Sequence, residues 1–166
     1  MKKIAFFVTT FAFALFFSAG VCHAQGGGAK QGPDVTRDPD MEKDSLHNLE
    51  VARQYFKLRK AYVASLQRCE EVLAGNPAFS KIDEVLYIAG KSNLYLSEGK
   101  GKQKPSLYKR TDAGAKPVNL TSDEFREEAR AYLSQLVEGY PDSKFKTEAL
   151  EDLKLLGGLK PKDSKQ

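Results

Sequence analysis

The apolar positions of this chain fall into helical stripes separated by glycine, asparagine and proline. Leu46, Leu49, Ala52 and Phe56 recur at three- and four-residue spacing. They predict a first helix that starts at Asp44 or Ser45, either of which can cap it, and runs to about Lys60. Val51, Tyr55 and Leu58 widen that stripe enough to meet a second neighbour. Tyr62, Leu66, Cys69 and Leu73 predict the next helix, over 62–74. It is closed by Gly75-Asn76-Pro77, where glycine can take left-handed backbone and proline cannot continue a helix. Ser80, with Asp83 three places on, predicts the start of a third helix whose face is Ile82, Val85, Leu86, Ala89 and Leu96, ended by Gly99. Thr121 and Glu124 stand at capping-box spacing, flanked by Leu120 and Phe125 at the spacing of a hydrophobic staple. A fourth helix therefore begins there and carries Phe125, Ala129, Leu133, Leu136 and Val137 to Gly139. A fifth, from Asp142 or Ser143, carries Phe145, Ala149, Leu150, Leu153 and Leu156 to Gly157-Gly158. No segment alternates with a period of two over strand length, so the expected fold class is all-α.

The second and fourth helices repeat one another. Twelve, eight and five residues before Pro77 stand Ser65, Cys69 and Val72, and nine after it Leu86; the same offsets around Pro141 give Ala129, Leu133, Leu136 and Leu150. Helix, Gly-x-Pro turn and helix, with small residues where helices must approach, is the pattern of tetratricopeptide-type repeats, about 34 residues long. A separation of 64 residues is one repeat plus roughly thirty extra residues. Most of the excess falls in 99–120, which has no helical pattern. The expected architecture is a tetratricopeptide-like right-handed stack of about five antiparallel helices over 44–158, interrupted by that insertion.

The ends of the chain bear on compartment. Met1-Lys2-Lys3, an apolar run from Ile4 to Phe17 and a small-residue tail to Ala24 make 1–24 a secretory signal peptide, with cleavage expected after Cys22-His23-Ala24. The apolar run is too short for a comfortable membrane span, which needs about 20 residues. A lipidated Cys22 is the alternative, making the product an outer-membrane lipoprotein; against it, Val21 stands where a small residue is required. A periplasmic or secreted protein is expected. Residues 25–43, with three successive glycines and two prolines, read as a disordered tether, and 159–166 as a disordered tail.

Losing Lys2 and Lys3 lowers the formal charge from +4 to +2. The insertion holds Lys100, Lys102, Lys104, Lys109, Arg110 and Lys116 against Asp112 alone, so the rest of the mature chain is mildly acidic. This balance, without aromatic interleaving, argues against nucleic acid as a partner. Ala89-Gly90-Lys91-Ser92 resembles the end of a phosphate-binding loop, but Val85 stands where that motif needs glycine, and Gly90 reads better as a close-packing position. Cys69 lies on an apolar stripe and reads as a buried small residue rather than a reactive thiol. His47 has no second histidine beside it to begin a zinc site. The adjacent pairs Glu70-Glu71 and Glu127-Glu128 point to different helix faces. Neither a catalytic residue nor a metal or cofactor is expected.

Leu49-Glu50-Val51-Ala52-Arg53-Gln54-Tyr55-Phe56, then Ala61-Tyr62-Val63-Ala64-Ser65, then Glu71-Val72-Leu73 before Asn-Pro resembles the C-terminal repeats of BamD, the tetratricopeptide lipoprotein of the outer-membrane β-barrel assembly machine. Tyr140-Pro141-Asp142-Ser143, followed by Glu148-Ala149-Leu150, is similar to the turn common in that family. Pro-Asp-Ser turns also occur in the repeat protein associated with the Tol-Pal system. The chain departs from BamD in its poor lipidation motif, its fewer repeats and its basic insertion. The resemblance implies a non-enzymatic periplasmic scaffold whose partners are proteins, namely outer-membrane assembly subunits or unfolded barrel substrates. In such a stack the first helix of each pair lines the concave face, which makes Asn48, Gln54, Lys57, Tyr87, Lys91 and Tyr95 the candidate protein-binding residues. The alternative is a module holding an anionic envelope surface, lipid headgroup or cell-wall polymer, through the basic residues of the insertion, with peripheral membrane association. Tyr87 and Tyr95 have a competing reading as core residues against the fourth helix.

Overall fold

A computed structural model of the protein describes residues 37–111 and 116–160. Among these residues the fold is all-α, with α1 (Pro39–Arg53), α2 (Tyr62–Gly75), α3 (Ile82–Ser97), α4 (Ser122–Gly139) and α5 (Lys146–Leu155). Each helix packs on the next along the chain, and α1 also touches α3. The expected signal peptide, the tether before residue 37 and the tail beyond 160 lie outside the described residues.

The sequence repeat is a backbone repeat. Asn76 N donates to Val72 O, Phe79 N to Asn76 O and Ile82 N to Phe79 O. Sixty-four residues later Tyr140 N donates to Leu136 O, Ser143 N to Tyr140 O and Lys146 N to Ser143 O, all six bonds between 2.8 and 3.2 Å. The first helices of the two hairpins end at Gly75 and Gly139, and the second helices start at Ile82 and Lys146. One detail differs from expectation: neither Gly75 nor Gly139 takes a positive φ. The helices end instead because Asn76 (φ −143°, ψ 76°) and Tyr140 (φ −130°, ψ 69°) leave the helical region, which is disfavoured for a residue before proline.

Three helix starts also differ. The first helix begins at Pro39 rather than Asp44 or Ser45, because the Asp38 side chain accepts from the Asp40 and Met41 amides and proline is preset for the first helical position. The expected tether therefore loses 39–43 to the helix. The third and fifth helices begin at Ile82 and Lys146 rather than at Ser80 and Asp142 or Ser143, since the turn hydrogen bonds occupy the intervening residues. Ser80 N donates to Glu42 Oε1, and Ser143 Oγ to Asp83 Oδ2. Beyond α1 the chain continues as a π-helical segment, Gln54–Arg59, closed by Lys60 in left-handed conformation. The capping box at Thr121 and Glu124 forms as expected.

The core joins Leu49 and Ala52 of α1 to Leu66, Cys69 and Val72 of α2 and to Leu133 and Leu136 of α4. Of the sixteen residues of α3, twelve are buried, not one face of it. Gly90 is the close-packing position the sequence suggests: a Cβ there would lie 2.7 Å from Leu133 carbons. Cys69 is buried and unpaired, and burial pushes its thiol far above the ordinary range. Residues 159 and 160, expected to fray, are held: Arg130 donates to the carbonyls of Gly158 and Leu159, and Lys160 N to Ser134 Oγ.

Candidate functional site

The face shared by α1, α3 and α5 is sewn together by polar pairs. Arg53 of α1 forks onto Glu84 of α3 at 2.6 and 2.7 Å. Burial works to raise the Glu84 carboxyl, but the hydrogen bonds and charge of Arg53 outweigh it and hold the group below the ordinary carboxylate range. One and two turns along α3, Tyr87 donates to Glu148, and Lys91 reaches both oxygens of Asp152 at 2.9 and 2.8 Å. Tyr87 also stacks on Phe145, centroids 4.7 Å apart. Burial, reinforced by the Glu148 carboxylate, raises the Tyr87 hydroxyl far above its usual range, so it remains a donor.

This arrangement separates the candidate protein-binding residues. Tyr87 and Lys91 face α5 rather than solvent. Tyr87 is a buried core residue that packs against α5 and its preceding turn. Tyr95 is half-buried in a cluster with Phe56 and Tyr62, its centroid 5.8 and 4.7 Å from theirs. Gln54 and Lys57 are exposed on the π-helical segment. Asn48 borders a groove between α1 and the end of α2, about 210 Å³ in volume, with Met41, Asp44, Ser45, Glu71, Val72 and Asn76. Asn76 Nδ2 donates to Ser45 Oγ at 3.1 Å, and Ser45 in turn to Met41 O, which fixes the groove wall.

The insertion is built onto the helices at three places. At its root Lys102 N donates to Lys60 O at 2.9 Å, and Gln103 Oε1 accepts from Ala64 N at 3.0 Å. A short 3-10 turn, Pro105–Leu107, then delivers Tyr108 into the core, where it meets Phe125 and donates to Glu70 Oε1 at 2.6 Å. Burial raises the Glu70 carboxyl above its ordinary value, a rise opposed by the Tyr108 hydrogen bond. Beyond it Arg110 and Val118 form an isolated antiparallel bridge, and Arg110 reaches Glu128 of α4 at 3.3 Å.

The basic residues of the insertion are accordingly of two kinds. Lys109 donates to Asn119 and Arg110 to Glu128, so both are engaged within the fold. Lys100 pairs with Glu98 at 2.8 Å while lying over the Tyr95 ring, and Lys102, Lys104 and Lys116 are exposed. The anchoring role of Tyr108 is not apparent from charge patterning; its one signal is that it is the sole aromatic residue in 99–120. Among the described residues no group of three or more His, Cys, Asp or Glu is placed to hold a metal, and no helix is long and apolar enough to cross a membrane. No family model matches the chain, and neither a curated protein nor a solved structure is significantly similar to it.

Proposed function

We propose that the protein is a periplasmic tetratricopeptide-like scaffold, a right-handed helical stack that binds protein partners in outer-membrane β-barrel assembly. The observation that carries this reading is the doubled hairpin, whose turn hydrogen bonds recur at 64 residues. Repeat stacks of this kind hold helices rigidly side by side and use their exposed surfaces for binding. The likeness of 46–99 and 125–156 to BamD repeats supports the compartment and the class of partner.

With Tyr87, Lys91 and Tyr95 engaged inside the stack, Gln54 and Lys57 remain exposed and Asn48 borders the groove, which makes that groove the contact surface. Val72 gives that groove an apolar lining, Met41 is 43% exposed beside it, and Asp44 and Glu71 give it acidic members. Such a surface suits a peptide segment carrying an apolar anchor next to a basic residue. A photo-crosslinking amino acid placed at Asn48 in living cells tests the reading, with the exposed Glu151 of α5 as control. Adducts with an assembly-machine subunit or a barrel precursor, specific to position 48, are expected. None at position 48, or the same adducts at both positions, would remove the scaffold reading.

A further inference from the structure

At one end of the stack two basic segments distant in sequence are joined. The π-helical segment runs Lys57-Leu58-Arg59 into Lys60, and the insertion root runs Lys100-Gly101-Lys102-Gln103-Lys104. They are in backbone contact through the Lys102 to Lys60 hydrogen bond. A side chain at Gly101 (φ +95°) would come within 2.6 Å of Lys60 O and of a Tyr62 ring carbon, so glycine is what permits the approach. Six cations are gathered in these two segments, and residues 51–69 and 99–111 contain no Asp or Glu. Glu98 neutralises Lys100. Among the described residues Lys57, Lys60, Lys102 and Lys104 form no ion pair.

Between Lys57 and Arg59 stands Leu58, 78% exposed, the most exposed large apolar side chain described. We propose that this end of the stack is a docking tip for an anionic lipid bilayer, which Leu58 enters while the surrounding cations contact headgroup phosphates. The pairing of features decides the occupant. An anionic polymer uses the cations and has no use for the leucine, whereas an anionic bilayer attracts basic residues to its surface and takes apolar side chains into its acyl boundary. The inference does not depend on the scaffold reading, since the groove at Asn48 is formed by other residues.

The chain contains no tryptophan, so a Leu58→Trp variant reports from that position alone. Its emission should shift to the blue on adding phosphatidylglycerol vesicles and be quenched by brominated acyl chains. Phosphatidylcholine vesicles should leave it unchanged. Replacing Lys57, Arg59 and Lys60 by glutamine in the same variant should weaken vesicle partitioning roughly a hundredfold. A Leu155→Trp variant, at a position 73% exposed on α5, should not respond. The proposal is overturned if Leu58→Trp shows neither shift nor quenching, if both positions respond alike, or if polyphosphate displaces the vesicles from a site that lipid bromines do not quench. Circular dichroism on each variant separates loss of binding from loss of fold.

Discussion

Gly90 of α3 and Leu133 of α4 are so close that a Cβ on the glycine would lie 2.7 Å from both Cγ and Cδ2 of the leucine. Glycine inside a helix ordinarily costs about 1 kcal/mol relative to alanine. Here the clash outweighs that gain, because Leu133 is fully buried and cannot swing aside. Gly90→Ala should therefore destabilise by about 1–3 kcal/mol in urea unfolding. In a Leu133→Ala background the same substitution should become stabilising, and an unchanged sign would contradict the packing described.

The Lys91–Asp152 pair joins α3 to α5 with both side chains largely out of water. Breaking such a pair strands a charge, whereas replacing both members by apolar groups does not. Asp152→Ala should cost about 3 kcal/mol, and the double change Lys91→Met with Asp152→Leu should cost less than that single one. Denaturant midpoints of the three proteins decide it.

Glu84 and Glu70 should shape the pH dependence of stability in opposite directions. Glu84 has a depressed folded-state pKa, so its contribution is present above the ordinary carboxylate value and is lost as pH falls through the folded value. Glu70 has a raised folded-state pKa, so it lowers stability as pH rises through that value. At pH 7 Glu84→Gln should lower the thermal midpoint. Glu70→Gln, which keeps an acceptor for Tyr108, should raise it. Both differences should vanish once the carboxyls of the parent protein are protonated in acid.

Thr121→Ala should cost about 1 kcal/mol, and Thr121→Ser much less. Thr121 Oγ1 accepts from Glu124 N at 3.2 Å, and Glu124 Oε2 accepts from Thr121 N at 2.7 Å, so the alanine variant loses the hydroxyl half of the box. Equal midpoints for the alanine and parent proteins would show that the cap contributes nothing to α4.

What could be read from the sequence follows from the range of the forces involved. The capping box and the turns at Pro77 and Pro141 are local, the first set within four residues and the second by residues within a dozen positions of each proline, and both are present in the structure. The all-round burial of α3 has a sequence signal too, since Asp83, Glu84 and Lys91 are its only charged residues, although one apolar stripe is the obvious reading. The fate of the candidate groove residues could not be read. Whether Tyr87 and Lys91 face solvent depends on Glu148 and Asp152, sixty-one residues away on another helix. Likewise the joining of Lys60 to Lys102 depends on how α2 and α3 pack, which no spacing along the chain reveals.

The two hairpins repeat as α2–turn–α3 and α4–turn–α5, yet α3 is enclosed by residues of both. It packs chiefly on α2 and α4, stacks Tyr87 on Phe145 before α5, and has its charge partners in Arg53 and Asp152. A fragment ending at Ser97 would expose the surface that α4 and α5 cover, and one beginning at Ser122 would lack the helix those two rest on. Neither half is therefore expected to fold alone. The unit of repetition in this chain is smaller than its unit of cooperativity, and amides of α3 should exchange with solvent only when the whole domain opens.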